Sequence, residues 1–199
     1  MQLHHALETF GNLLDTRIGH DVFTTEDSIR YTFFAALLRE SDLQPEDVVL
    51  EHPHPTISRA EVDTWVPPAN GREGLAVEFK YDRKIPSGQN APRTQKAGKV
   101  FHDLYRLGQV PSTMRRLLIY VAGPEMTAYF KNHSNGLVNF FGLPKGNSVL
   151  IDSAFLAERS TTFVKSAAEV PNIEAFAVYS RSLPRNHELR VFEVRNVAS

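Results

Sequence analysis

The chain has 199 residues, of which 42% are hydrophobic and 23% charged, with a formal net charge of −1 and no cysteine. These values are typical of one folded domain with a substantial core, and they exclude disulfides, thiolate metal sites and cysteine nucleophiles. The N-terminus lacks a signal-peptide pattern and no apolar run is long enough to span a membrane. We therefore expect a cytoplasmic protein without membrane contacts.

Charge is distributed unevenly along the chain. Residues 1–79 contain five Arg against fourteen Asp and Glu, whereas residues 80–116 contain nine Lys and Arg against two Asp. Because the local field governs contact with a polyanion, the second segment indicates a nucleic-acid-binding surface despite the near-neutral total. The alternative is that this basic segment is only a solvated face.

Hydrophobic spacing predicts the first elements of the fold. Helices are expected over 2–15 and 26–40, the second with Thr24 or Thr25 as its N-cap, and a first core strand over 48–51. The histidines of Glu51-His52-Pro53-His54-Pro55 lie between prolines, which favours an extended loop. Since the other histidines lack ligand spacing, we do not predict a histidine metal site.

Two β-like runs then surround a strong turn signal. The runs 60–66 and 75–80 lie on either side of Asn70-Gly71, a sequence typical of tight hairpins. Asp63 lies seven residues before Asn70 and Glu78 lies seven residues after Gly71. A hairpin that is symmetric about this turn therefore places Asp63 opposite Glu78.

A lysine accompanies the second acid. Side chains alternate between faces along a strand, so Glu78 and Lys80 are expected on the same side. Pro67-Pro68 lacks amide donors, so strand pairing should loosen before the hairpin tip. The alternative for Asp63, Glu78 and Lys80 is an ordinary solvent-facing cluster of cross-strand charges.

The second half of the chain continues the alternation of helix and strand. A turn-rich loop over 84–92 precedes a helix over 94–107, a buried strand over 117–121 and a short helix over 125–131, an order that fits a parallel crossover in an α/β sandwich. The pattern over 132–170 is less regular and is interpreted as an insertion that shapes a substrate cleft. Two further strands are predicted, over 174–179 and 189–194.

Asp63 together with Glu78-Phe79-Lys80 resembles the motif of the PD-(D/E)XK nuclease superfamily, although Val62 stands where that family has proline. The resemblance covers residues 20 to 125. It implies an α/β restriction-endonuclease-like core, a central mixed sheet flanked by helices, within a single domain over 1–199. It does not identify an individual family.

The resemblance also implies roles for particular residues. Asp63 and Glu78 would bind Mg²⁺, which Mn²⁺ could replace, with Glu26 or Glu51 as a third acid and Phe79 among the metal ligands. Lys80 would position the attacking water or stabilise the transition state. Because family members can use a glutamine or lysine on the next helix, two auxiliary residues are predicted: Gln95 and Lys99.

The resulting hypothesis is a Mg²⁺-dependent endonuclease that hydrolyses DNA, of a restriction or phage-defence type, and many small relatives act as homodimers. Five basic residues that follow the motif are predicted to contact DNA: Arg83, Lys84, Arg93, Lys96 and Lys99. One alternative is a non-catalytic module that binds nucleic acid or protein, and another is a nuclease for RNA or branched DNA. Phosphate-binding Walker motifs, dinucleotide fingerprints and serine-hydrolase elbows are absent from the sequence.

Overall fold

The computed structural model of the chain describes residues 3–69, 71–83, 91–169 and 172–197. The strands of the described part are β1 (Val49–Pro53), β2 (Glu61–Val66), β3 (Gly74–Asp82), β4 (Met114–Ala122), β5 (Ser148–Ile151), β6 (Ile173–Leu183) and β7 (His187–Asn196). The α-helices are α1 (Leu3–Gly19), α2 (Glu26–Arg39), α3 (Arg93–Gly108), α4 (Pro124–Lys131), α5 (Val138–Phe141), α6 (Ser153–Ala157) and α7 (Thr161–Ala167). None of the described helices is long and apolar enough to cross a membrane.

The strands form one mixed sheet in the order β1-β2-β3-β4-β7-β6-β5. β1, β2 and β3 are antiparallel neighbours, whereas β3 and β4 are parallel and are connected through α3. The predicted α/β class, with a mixed sheet flanked by helices, is confirmed at this level. The predicted parallel crossover is confirmed as well.

One boundary prediction was wrong. The segment with His52 and Pro53 was expected to be a loop, but both residues belong to β1, where they pair with Val62 and Glu61 of β2. β1 is the last strand at its side of the sheet, and proline is tolerated at such an edge because the outer row of backbone groups needs no partner. The ring of His52 stacks on that of Trp65 with centroids 4.6 Å apart.

Helices cover both faces of the sheet, so the core has two halves. α1 and α2 pack on one face against odd-numbered residues of β3, including Leu75, Val77 and Phe79. α3 packs on the other face, where Ala76 of β3 contributes to the second half of the core. Since side chains alternate along the strand, Glu78 and Lys80 project toward α3, on one side as predicted.

The hairpin has the register that the sequence predicts. Thr64 pairs with Val77 and Val66 with Leu75, and an isolated bridge between Ala69 and Arg72 continues the same register at the tip. Pairing is interrupted at Pro67-Pro68, as expected from their missing amide donors. Asn70 lies outside the described residues, and Gly71 has the positive φ of 76° that the turn requires.

The described part of 132–170 contributes to the core rather than lying apart from it. Phe140, Phe141 and Phe163 are buried on the α3 face of the sheet. α7 lies directly on α3 at Gly98, where a Cβ atom would stand 2.6 Å from the carbonyl oxygen of Phe163. Only glycine allows this contact, which fixes the segment against the helix that follows the Glu-x-Lys motif.

Candidate active site

The site lies where β2 and β3 separate. Their ladder ends at Thr64 and Val77, so the amides of β3 beyond this point lack a partner strand on that side. Asp63 Oδ2 accepts a hydrogen bond of 2.7 Å from the amide of Phe79, and Glu26 Oε2 accepts one of 2.7 Å from the amide of Tyr81. Two carboxylates therefore accept the hydrogen bonds that a neighbouring strand would otherwise accept. Asp63 contacts the peptide bond that follows Glu78.

Helix α2 delivers Glu26 to this edge. Thr25 is the N-cap, and it forms a reciprocal capping box with Ser28. Glu26 thus lies in the first helical turn, where the helix dipole favours an anion. Burial raises the pKa of Glu26, although the Lys80 charge and the Tyr81 amide oppose the shift. The Glu26 carboxylate therefore stabilises the start of α2 and also belongs to the site.

Glu78 is the most buried acid of the cluster formed by Glu26, Asp63, Glu78 and Asp103, at 3% exposure. Burial raises its pKa well above the ordinary value, and the charges of Asp63 and Asp103 raise it further. Arg106 Nη2 lies 3.1 Å from Glu78 Oε1, but this oxygen has no hydrogen bond among the described residues. Glu78 is therefore not solvent-facing, as the alternative of a surface charge cluster expected, whereas the Asp63 and Lys80 side chains are partly exposed, at 19% and 24%.

Lys80 is held between two acids. Its Nζ lies 3.4 Å from Asp103 Oδ2 on α3 and 3.8 Å from Glu26 Oε2. Burial acts to lower the pKa of Lys80, but Asp103 and Glu26 outweigh it, so the pKa lies above its ordinary value. The lysine is consequently a fixed cation at neutral pH.

Arg30 of α2 connects Asp63 with Glu51. Its Nη2 lies 2.8 Å from Asp63 Oδ1, and its Nη1 lies 3.1 Å from Glu51 Oε1. The Glu51 side chain is 63% exposed, and its contact runs through Arg30 rather than Lys80. Of the two predicted third acids, Glu26 is the one that lies beside Lys80.

The backbone is unusual opposite Asp63. Glu51 has a φ of 54°, a left-handed conformation that a side chain disfavours. The β1–β2 ladder has pairs on both sides of this point, at Leu50↔Thr64 and His52↔Val62, but none between Glu51 and Asp63. Such strain occurs preferentially at functional sites.

Sequence reasoning did not find three charged residues that complete the cluster: Arg30, Asp103 and Arg106. For Asp103 a signal existed, because it lies on the apolar side of α3 between Val100 and Leu107 and is buried with them. Arg106 lies one turn further along α3 and contacts both Glu78 and Asp103, the latter at 3.8 Å. It also donates to the carbonyl of Glu61 in β2.

The predicted DNA-contacting residues have different environments. Arg93 and Lys99 are exposed on α3. Lys96 is instead held by the carbonyl of Arg83 at 3.1 Å and by Asp82 Oδ1 at 3.9 Å. Gln95 is partly buried in the first turn of α3. Lys84 and most of the predicted loop over 84–92 lie outside the described residues.

A cavity of about 570 Å³ opens beside the acids. Its wall includes Asp63 of β2 and Arg106 of α3, together with the rings of His102 and Tyr105. Glu169, from the segment interpreted as an insertion, also lines it. Asp63, and Arg106 beside Glu78, are therefore reachable from a space large enough for a ligand.

The donors at this edge are oxygens, which suit a hard divalent cation. Asp63 and Glu78 supply carboxylates, and Phe79 can offer only its main-chain carbonyl. Within the described ranges, no group of three or more His, Asp or Glu side chains is arranged to hold a metal ion. Mg²⁺ commonly uses one or two carboxylates and completes its shell with water and substrate phosphate.

Comparisons of the chain with protein-family models, curated proteins and solved structures gave no match.

Proposed function

We propose that this protein is a Mg²⁺-dependent endonuclease that hydrolyses DNA, with a restriction-endonuclease-like core. The observation that carries the proposal is the convergence of Asp63, Glu78 and Lys80 where β2 and β3 separate. The mixed sheet, with the first acid on β2, the Glu-x-Lys element on β3 and a helix directly after it, supports the proposed core.

The residues present fit a divalent cation. Glu78 is buried, feels the negative charge of Asp63, and has a carboxylate oxygen without a hydrogen bond among the described residues. Asp63 and Glu78 would hold the cation, with the Phe79 carbonyl and Glu26 beside them. When bound, the cation would supply Lewis-acid activation of water and of the phosphate.

Lys80 would act on the phosphate as a fixed cation. Because its pKa is raised, it cannot serve as a general base at neutral pH and is suited to hydrogen-bond donation. Asp103 and Glu26 hold its ammonium group in place before substrate binds. Such preorganised charge stabilises the negative charge that develops in the transition state.

The rival of a non-catalytic module on the same fold is less well supported. A buried, like-charged pair destabilises a fold, and apolar replacements of buried ionic groups are often neutral or stabilising. Retaining Glu78 at 3% exposure beside Asp63 and Asp103 therefore favours a chemical role. Hydrolysis of RNA or branched DNA stays a second candidate, since the acid pair itself does not discriminate between nucleic acids.

Incubation with supercoiled plasmid tests the proposal. We expect cleavage with Mg²⁺ or Mn²⁺, none with EDTA, and 5′-phosphate ends on mapping of the products. Glu78→Gln should be inactive, whereas Glu73→Gln, which changes an exposed acid directly before β3, should cleave like the parent. Absence of Mg²⁺-dependent cleavage of plasmid, single-stranded DNA and RNA would overturn the proposal.

A further inference from the structure

A second cavity, of about 260 Å³, is lined by Thr24 and by Tyr81, whose amide donates to Glu26. It is formed by the α1–α2 loop, the end of β3 and the turn between β6 and β7. The lining groups that matter here are planar rings and cations: Phe23, Tyr81, Arg83, Arg185 and His187. The mechanism proposed above uses none of these side chains.

Phe23 is presented to this cavity on a fixed loop. Its side chain is 68% exposed, the largest exposed fraction among the large hydrophobic residues of the described part. Arg17 Nη2 donates to the Phe23 carbonyl at 2.8 Å, and Arg17 Nε donates to Thr24 Oγ1 at 3.1 Å. Thr24 in turn donates to the Val22 carbonyl at 2.7 Å. These hydrogen bonds fix the loop that carries Phe23, and the Phe23 ring is exposed to solvent.

The groups around Phe23 match those that recognise an unpaired nucleotide. The Arg83 guanidinium lies over the Phe23 ring, 4.5 Å from its centroid, and Arg185 pairs with Asp21 at the rim. His187 Nδ1 donates to the Pro184 carbonyl at 3.2 Å, so in the neutral ring Nε2 accepts from Tyr81 Oη at 3.4 Å, and the Tyr81 oxygen keeps a lone pair that can accept a hydrogen bond from a base edge. Unpaired bases stack on aromatic rings and arginine planes while cations meet the phosphates.

The cavity and the acid cluster meet at Glu26, which accepts a hydrogen bond from the Tyr81 amide and lies 3.8 Å from Lys80 Nζ. The Tyr81 ring projects to the α1–α2 face of the sheet, whereas Glu78 and Lys80 project toward α3. A strand that contacts both places would therefore pass around the sheet edge at Glu26. The volume of about 260 Å³ is below the usual range of pockets for drug-sized ligands, so it suits one base rather than a base pair.

We propose that the Phe23 cavity is a subsite for one unpaired base of a DNA strand, stacked on Phe23 in the place that the Arg83 guanidinium occupies, so that Arg83 and Arg185 face its phosphate. This inference rests on the proposed function and deepens it: the substrate has a single-stranded segment next to the bond that is cut.

Fluorescence anisotropy in EDTA tests the subsite without requiring cleavage. We expect Phe23→Ala to bind a single-stranded oligonucleotide about ten-fold more weakly, a loss within the range for one stacked base. Binding to a blunt-ended hairpin duplex should be unchanged. Phe23→Trp should retain affinity, and its fluorescence should fall when the oligonucleotide binds. Tyr31→Ala is the matched control, because Tyr31 is a 59% exposed ring on α2 outside the cavity.

The subsite would be overturned by equal affinity of Phe23→Ala and the parent for the single strand, or by an equal loss of affinity for single strand and duplex. A parent protein that binds no DNA would overturn it as well. Failure of the proposed function is distinguishable, because a protein that shows Phe23-dependent binding but no Mg²⁺-dependent cleavage retains the subsite and loses the nuclease assignment.

Discussion

At the scale of single residues, Glu78 connects stability with function. Its pKa is raised in the fold, so between the ordinary value of 4.5 and the raised value the folded state binds more protons than the unfolded chain. The free energy of unfolding therefore falls as pH rises through this window and stays lower above it. In the proposed function, a bound cation would offset this loss.

Glu78→Gln should consequently be more stable than the parent at pH 8 in EDTA, although it loses cleavage. For a chain of this size, each kcal/mol gained raises Tm by about 2–4 °C. Urea unfolding of both proteins at pH 4.5 and pH 8 measures the difference in their free energies of unfolding, which should be larger at pH 8. A Glu78→Gln variant that is less stable than the parent at pH 8 would contradict this account of the buried carboxylate.

Lys80 has a structural role besides the chemical role proposed for it. Lys80→Met leaves Asp103 buried without its nearest cation, a change that costs about 3–5 kcal/mol in buried pairs. We expect a loss of stability at the lower end of this range, because Arg106 remains 3.8 Å from Asp103. Lys80→Met/Asp103→Asn should restore most of the lost stability in thermal unfolding, but not cleavage. Cleavage by this folded double variant would remove Lys80 from the chemistry.

The third acid is decided by a matched pair of substitutions. Glu26→Gln should slow cleavage about 10- to 100-fold, as expected for a group that supports a metal site. Glu51→Gln should leave the rate unchanged, because Glu51 contacts Arg30 at an exposed position. Initial rates at saturating Mg²⁺ measure both, and the reverse order would assign the third acid to Glu51.

At the scale of elements, the parts of the site that lie within one local pattern could be predicted. The Asp63–Glu78 register follows from the symmetric spacing about Asn70-Gly71, and the shared face of Glu78 and Lys80 follows from strand alternation. Arg30 and Arg106 could not be found in this way. Their contacts depend on how α2 and α3 pack across the end of the hairpin. The local sequence pattern does not specify that packing.

Helix α3 separates basic residues that sequence reasoning had grouped together. Arg93 and Lys99 are exposed, so substituting both with Ala should flatten the log–log salt dependence of duplex binding by about 0.9 for each phosphate that is no longer neutralised. Lys96→Ala should chiefly destabilise the fold, because Lys96 neutralises the buried Asp82. Arg39→Ala, which removes an exposed cation of α2, is the control. An unchanged slope in Arg93→Ala/Lys99→Ala would remove α3 from the DNA surface.

At the scale of the whole molecule, the charge asymmetry of the sequence is partly neutralised inside the fold. The acidic segment over 1–79 supplies Glu26 and Glu78, and the basic segment over 80–116 supplies Lys80 and Arg106, which pair with them. Arg93 and Lys99 of the basic segment stay exposed. In the proposed function, a nucleic-acid strand would contact the cavity beside Asp63 and the cavity beside Phe23.

The central claim is that Asp63 and Glu78 share one divalent cation, and binding of Mn²⁺ followed by electron paramagnetic resonance tests it most directly. We predict one Mn²⁺ per chain for the parent and for Glu73→Gln, and loss of this binding in Asp63→Asn and in Glu78→Gln. Binding by both of the latter variants with the affinity of the parent would contradict the assignment of the acid pair as the metal site.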